Sequence, residues 1–232
     1  MYALLSFSLS ATTPTLGKPL KIEVDESIEL GHLGNTFYYT AWNHAGTHID
    51  APAHMLLEGK PLTAFPIQDF VFHRPYLLDV PKEANQLITA EDLYLHEQKI
   101  KDCDLLLLRT GFTRYREADP ARYRDQNPGL STDAGHYLSG ARFPLLRAVG
   151  IDAISMAAPA HISEGVEAHK ILFCREDGSS VFLIEDMDLS SDLSQMKRVF
   201  VVPLFIEGLD SGPCTIIAEI RTGEGETEEA YA

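Results

Sequence analysis

Cysteine is scarce in this chain. Its 232 residues include three, Cys103, Cys174 and Cys214, an odd number without paired spacing. Such a set gives no basis for a disulfide framework or a cysteine-type zinc site. Basic residues are scarce too: 19 Lys and Arg stand against 34 Asp and Glu, a formal net charge of −15. Nucleic acid and anionic membrane surfaces both require a basic face, so neither is an expected partner. No apolar run approaches the length of a membrane span. The opening Met1-Tyr-Ala-Leu-Leu-Ser-Phe-Ser-Leu-Ser10 lacks the basic start and sustained apolar core of a signal peptide. These absences lead to the expectation of a cytoplasmic protein whose partner is a small molecule.

The remaining composition is that of a globular protein, with 45% hydrophobic and 23% charged residues. A chain of this length can bury a substantial core as one domain. No repeat or linker divides it. We expect one domain over residues 1–222 and an acidic, apolar-poor and mobile tail over residues 223–232.

Strands are expected at 4–9, 20–24 and 36–42, and over 70–80 with a break at Pro75. Thr89-Ala-Glu-Asp92 has the pattern of a capping box, so a helix should open near Ala90. Asp104-Leu-Leu-Leu-Leu108 is wholly apolar after its aspartate and reads as a buried central strand leading into a loop at Arg109-Thr-Gly111. Helices are expected from Ser131 to Gly140, over 143–149, and from Gly165 through Phe173. Further strands are expected near 148–155, at 181–185, over 198–205 and at 215–220. Pattern alone supports an α/β or α+β domain around a mixed sheet or barrel.

The chemistry concentrates in His44-Ala-Gly-Thr-His48-Ile-Asp50-Ala-Pro-Ala-His54. Imidazole nitrogen and carboxylate oxygen are the donors that zinc and similar divalent cations favour. The third histidine, four residues past the aspartate, is placed to act as a base beside such an ion. Gly46 and Pro52 make the segment a poor helix, since they cost roughly 1 and 3 kcal/mol relative to alanine. A flat strand would separate His44 and His48 by about 13 Å. A strand end that bends at Gly46-Thr47 resolves both difficulties.

More ligands must come from far along the chain. His169, at the edge of an apolar helical pattern, and Glu185, ending an apolar strand, are the best candidates; Asp186 and Asp188 compete with Glu185. A carboxylate there would be costly to bury without a partner. Phe37, Tyr38, Tyr39 and Trp42 are candidates for an aromatic pocket wall, and Arg109 for a substrate carboxylate. His32, His73, His96, His136 and His161 read as ordinary histidines.

The segment from His44 to His54 matches every fixed position of H-x-G-T-H-x-D-x-P-x-H. Leu106-Leu-Leu-Arg-Thr-Gly111, Pro128-Gly-Leu-Ser131, Gly150-Ile-Asp152 with Ser155, and Leu183-Ile-Glu185 follow in order. In these blocks the chain resembles the cyclase family of metal-dependent hydrolases, which includes kynurenine formamidases and isatin hydrolases. The resemblance implies an α/β fold, a single compact domain with a mixed sheet and a small β-barrel-like core flanked by helices. It implies homodimers or homotetramers, and zinc or manganese as one or two ions on His44, His48, Asp50, His169 and Glu185. It makes His54 the catalytic histidine. Trp42, Arg109 and Ser155 are the candidates for substrate binding. The Pro-Gly-Asp stretch of kynurenine formamidases is absent from the matching region, Thr13-Pro-Thr-Leu-Gly-Lys-Pro19.

The function expected is hydrolysis of a small-molecule amide, an aryl formamide or a cyclic amide, by a metal-activated water. Kynurenine formamidase proper, a cyclase or dehydratase acting on a small carbonyl compound, and a non-catalytic metal- or ligand-binding protein are the alternatives. The base at His54 favours an enzyme.

Overall fold

The leucine run forms the strand Leu105–Arg109, with all four leucines wholly buried. Alternate side chains of a strand face opposite ways, and this one divides accordingly. Leu105 and Leu107 join Ile49, Phe72, Ile184 and Val199 in a core made from strands and their connecting turns. Leu106 and Leu108 join Leu138, Val149, Ile151 and Leu172 in a second core, between sheet and helices.

A computed structural model describes residues 1–221, and the expected acidic tail, residues 223–232, lies outside them. The strands, in chain order, are β1 (Tyr2–Leu4), β2 (Lys21–Glu26), β3 (Thr36–Thr40), β4 (His48–Asp50), β5 (Val71–Phe72), β6 (Pro75–Asp79) and β7 (Leu87–Ile88). They continue with β8 (Leu105–Arg109), β9 (Gly129–Leu130), β10 (Ala148–Ile151), β11 (Phe182–Glu185), β12 (Met196–Pro203) and β13 (Ser211–Ile220).

One mixed sheet has the order β5-β12-β13-β4-β11-β10-β8-β6, with β1 added on β13. Strands β6, β8, β10 and β11 run parallel, and β4 lies antiparallel between β11 and β13. The two ends of this order, β5 and β6, are joined by His73 and Arg74 alone. Both backbone N–H groups of that link donate to the Asp104 carboxylate, at 2.8 and 2.9 Å. The sheet thus curls until its edges nearly meet, giving a nearly closed barrel flanked by helices. This is the mixed α/β domain that the resemblance implied.

The hairpin β2–β3 stands apart from the sheet, with every residue exposed. Its pairs Ile22–Tyr39 and Val24–Phe37 set four apolar side chains on one face. Over the sheet lie two longer helices, Thr132–Ser139 and Ile162–Phe173. The capping box is present: Thr89 and Asp92 satisfy each other's backbone at the start of helix Ala90–Tyr94.

Several expectations require correction. The helix expected over 143–149 is a turn leading into β10. Pro144 has no N–H to give, and the buried Arg175 takes the carbonyls of Ser139, Gly140, Phe143 and Leu146 at 3.1–3.2 Å, leaving few for a helix. The strand expected over 4–9 shrinks to β1 with one further bridge, Ser6 to Met187. The helix carrying His169 begins at Ile162, three residues before Gly165. That glycine sits inside the helix because a Cβ there would come within 2.4 Å of the Ala157 Cα. It serves close packing and is not a start signal.

Candidate metal centre and its base

The bend expected at Gly46 is there, with φ +65°, the left-handed region that favours glycine. A Cβ at Gly46 would lie 2.4 Å from Leu9 Cδ2, so that side chain would have to move as well, but it is the backbone that requires glycine. After the bend the chain enters β4, where His48 and Asp50 share one face and Ile49 enters the core behind them. Glu185 of β11 lies opposite His48, and Ser211 of β13 lies opposite Asp50. Two flanking strands thereby bring polar side chains to the same patch of sheet. His169 is supplied by helix Ile162–Phe173, while Pro52 opens the short 3-10 turn Pro52–His54 that ends in the third histidine.

These side chains converge. His44 Nδ1 stands 3.1 Å from Asp50 Oδ1, and His48 Nε2 is 3.6 Å from the same oxygen. His48 Nε2 is 3.3 Å from Glu185 Oε2, and His169 Nε2 is 3.3 Å from Glu185 Oε1. His44, His48 and Asp50 form one group, and Asp50, His169 and Glu185 another, with the ligand atoms of each within 4.8 Å of one another. Asp50 belongs to both, and His44 also forms a third such group with His54 and Asp210.

Two ring orientations are fixed from behind. His48 Nδ1 lies 2.8 Å from the Gly46 carbonyl and His169 Nδ1 2.6 Å from that of Gly165. A carbonyl can only accept, so each Nδ1 carries a proton and each Nε2 is turned toward Glu185. Ser155 Oγ and the Met156 N–H donate to Glu185 Oε1 at 3.2 and 2.7 Å. Ser155 lines the cavity and is also tied to the carboxylate.

The electrostatics ask for positive charge. Burial alone would push the His48 imidazole down, but Asp50 and Glu185 outweigh it and raise the value to about 9. Burial likewise disfavours a charged His169, and Glu185 raises it nonetheless. Glu185 itself, which burial would raise, is held well below the usual range by His169 and His48. Yet His48 Nε2 and Asp50 Oδ1 are buried without a hydrogen-bond partner among the described residues. Such orphaned atoms are costly unless something else binds them. A divalent cation fits this nitrogen and oxygen donor set and would satisfy both.

His54 stands beside the group, its ring 4.3 Å from that of His44 and 6.3 Å from that of His169. Its Nδ1 is 3.1 Å from Asp210 Oδ2. Asp210, with its neighbours Asn43 and Ser211, is missing from the sequence reading. The aspartate sits in a turn beside Gly208, Gly212 and Pro213, where an acid is ordinary. Only its return to the histidine segment, along the antiparallel pairing of β13 with β4, gives it meaning.

The rival acids are excluded by their surroundings. Asp186 faces elsewhere, held by Arg116 Nε and Nη2 at 2.8 and 2.7 Å and by the Tyr123 hydroxyl at 2.6 Å. Asp188 accepts from Ser190. Arg109 is not brought to the site: it forms a fork on Asp79 and donates to the Leu189 and Ser191 carbonyls. It ends the strand paired with the one that ends in Asp79, and that near acid claims its donors.

The cavity over the cluster measures about 140 Å³ and is walled by Leu16, Trp42, Met55, Ile154, Ile162 and Val166 besides the polar groups. A void of about 150 Å³ accommodates a benzene ring. A broader apolar cleft of about 830 Å³ opens on the other side of Trp42, with Phe37 and Tyr39 of the hairpin in its wall. The expected aromatic wall therefore divides: Trp42 reaches both spaces, Phe37 and Tyr39 reach only the cleft, and Tyr38 lines neither.

The model of the Cyclase family matches residues 4–171. The chain belongs to the Cyclase family. Cyclase-like protein 1 of Arabidopsis thaliana is 26% identical over 208 residues, 87% of this chain and 76% of that protein. Among solved structures, a protein described as a "predicted metal-dependent hydrolase from Bacillus stearothermophilus" is 26% identical, with a TM-score of 0.70 over 94% of this chain and 97% of its own. Isatin hydrolase A from Ralstonia solanacearum superposes with a TM-score of 0.77 over 94% of this chain and 91% of its own, at 22% identity. The last likeness establishes the shared fold. No helix among the described residues is long and apolar enough to cross a membrane.

Proposed function

We propose that this Cyclase-family chain is a metal-dependent hydrolase that opens a small, neutral amide, either a cyclic amide or an aryl formamide. The observation that carries the reading is the pair of orphaned buried atoms, His48 Nε2 and Asp50 Oδ1, beside a histidine that remains outside the ligand groups of Asp50. His44, His48, Asp50, His169 and Glu185 would hold zinc or manganese, as one or two ions. Such a cation supplies Lewis acidity, polarising a carbonyl and lowering the pKa of a water.

The chain's own groups do the rest. With Nδ1 committed to Asp210, His54 keeps Nε2 as an acceptor on the cavity wall. That atom takes a proton from the water as its oxygen bonds to the amide carbonyl carbon, and returns it to the leaving nitrogen as the C–N bond breaks. A protein that only stored metal would have no use for such a base. The apolar wall receives a flat ring and excludes water from it. None of the described residues lining the cavity is Lys or Arg, so no ammonium or guanidinium stands there to pair with a substrate carboxylate. This favours neutral substrates over N-formylkynurenine, in keeping with the missing Pro-Gly-Asp stretch.

The test is hydrolysis of isatin, formanilide and N-formylkynurenine by zinc- or manganese-loaded protein, with chelator-stripped protein as the blank. A neutral amide should be turned over only by the metal-loaded form, with kcat/KM at least about tenfold above that for N-formylkynurenine. Metal-loaded protein inert toward all three would overturn the reading, and a preference for N-formylkynurenine would overturn the neutral-substrate part of it.

A further inference from the structure

Asp210 sits at the centre of a hydrogen-bond chain that connects the base to a ligand of the metal group. Its Oδ2 faces His54 Nδ1 at 3.1 Å. Its Oδ1 accepts from Asn43 Nδ2 at 2.9 Å and from Ser211 Oγ at 3.1 Å. Ser211 Oγ in turn accepts from Asn43 Nδ2 at 2.5 Å and lies 3.0 Å from His44 Nε2. Ser211 is fully buried, and Asp210 is partly buried.

Protons can be assigned along this chain by counting donors. A hydroxyl has one hydrogen and a carboxylate has none. His44 faces Asp50 through Nδ1, so serving a cation there requires a lone pair on Nδ1 and the proton on Nε2. Ser211 Oγ must then accept from His44 Nε2, and its own hydrogen goes to Asp210. The remaining oxygen of Asp210 accepts from His54 Nδ1, which frees His54 Nε2.

We infer that Asp210 is a positioning residue that fixes two neighbouring histidines in opposite tautomers, His54 directly and His44 through Ser211. One carboxylate thus prepares the base and a metal ligand together. It acts through the histidines. The backbone carbonyls behind His48 and His169 do the same work for those rings, but among the described residues no carbonyl is bonded to the His44 or His54 ring, and these two depend on a side chain. The consequence for catalysis rests on the hydrolase reading above; the tautomer assignment does not.

The experiment is long-range 1H–15N correlation NMR of zinc-loaded, 15N-histidine-labelled full chain near pH 8, read together with kinetics. His54 should carry its proton on Nδ1 and His44 on Nε2. In Asp210→Asn the amide N–H faces His54, and the ring should switch to the Nε2–H form. Asp210→Glu should restore Nδ1–H. In Asp210→Asn, kcat should fall about 100-fold or more, as expected for a base locked in the wrong tautomer, with zinc stoichiometry and Tm retained. In a His54→Ala background the same substitution should change kcat less than about twofold, because coupled groups are not additive. Ser211→Ala should weaken zinc binding by about 10-fold, the usual cost of losing a group that orients a ligand. A wild-type His54 protonated on Nε2, or an Asp210→Asn that slows His54→Ala as much as it slows wild type, would overturn the inference. If the tautomers are as assigned and the zinc protein cleaves no amide, Asp210 keeps its role and the hydrolase reading falls.

Discussion

Glu185 lies directly across the antiparallel pair β11–β4 from His48, and its Oε2 stands 3.3 Å from His48 Nε2. The pairing register therefore makes this contact, with no loop to adjust it. A buried carboxylate and a buried imidazole at that distance must share a proton or a cation.

The pH dependence follows from that pair. His48 rises from an ordinary 6.5 to about 9, as Asp50 and Glu185 outweigh the burial that would lower it. A raised histidine lends stability that is whole below 6.5 and is lost as pH climbs through about 9. Glu185 is held low, since His169 and His48 outweigh its burial. It lends stability that is whole above 4.5 and lost as pH falls through its folded value. Metal-free protein should therefore be most stable between 4.5 and 6.5. A cation needs the same imidazoles without their protons. The Tm gained on adding zinc should then widen as pH rises from 6.5 to 9. A gap that narrows over that range would show that His48 does not release a proton to the metal.

Asp50 and His54 should separate metal binding from turnover. Asp50 belongs to both ligand groups, so Asp50→Ala should purify with little or no bound zinc by elemental analysis. His54 lies outside those two groups, and His54→Ala should keep the full metal content. Its kcat should nevertheless fall about 10²- to 10⁴-fold, the usual contribution of a positioned acid–base group. Full turnover by metal-loaded His54→Ala would remove the histidine from the mechanism.

The sequence was most legible where one local rule decides the outcome. Gly46 had to bend, the leucine run had to be buried, and Thr89 with Asp92 had to open a helix, because each depends on near neighbours. It was least legible where partners come from far away. The choice among Glu185, Asp186 and Asp188 turned on Arg116 and Tyr123, which neutralise Asp186 from about 60–70 residues away. Asp210 needed the pairing of β13 with β4 to reach His54, 156 positions earlier. The turn at 143–149 was misread because Arg175, beyond the next strand and helix, takes the carbonyls a helix would use.

Arg109 offers a check on one such error. Its fork on Asp79 is substantially exposed, with side-chain exposures of 28% and 63%, and exposed pairs are worth about 0–1 kcal/mol. Arg109→Ala should lower stability by no more than about 1 kcal/mol in urea unfolding. KM for any substrate should change less than about twofold, because the residue does not line the cavity. A large rise in KM would return Arg109 to the site.

Arg116 should behave in the opposite way. Asp186 is wholly buried at φ +53°, immediately after Glu185, and Arg116 meets both of its oxygens. The guanidinium also lies over the Phe7 ring, 3.8 Å from its centroid. Arg116→Ala would leave Asp186 with the Tyr123 hydroxyl and no counter-charge. Stranding a buried carboxylate in this way costs about 3–5 kcal/mol. Urea unfolding of the metal-loaded protein should show that loss. Because Asp186 adjoins Glu185 in the chain, zinc affinity should weaken as well, although no ligand has changed. Arg116→Lys keeps the charge but cannot reproduce the two-pronged contact, so it should recover only part of the stability. A neutral Arg116→Ala would mean that the ion pair contributes nothing beyond its own desolvation, and that the backbone turn after Glu185 is held by packing alone.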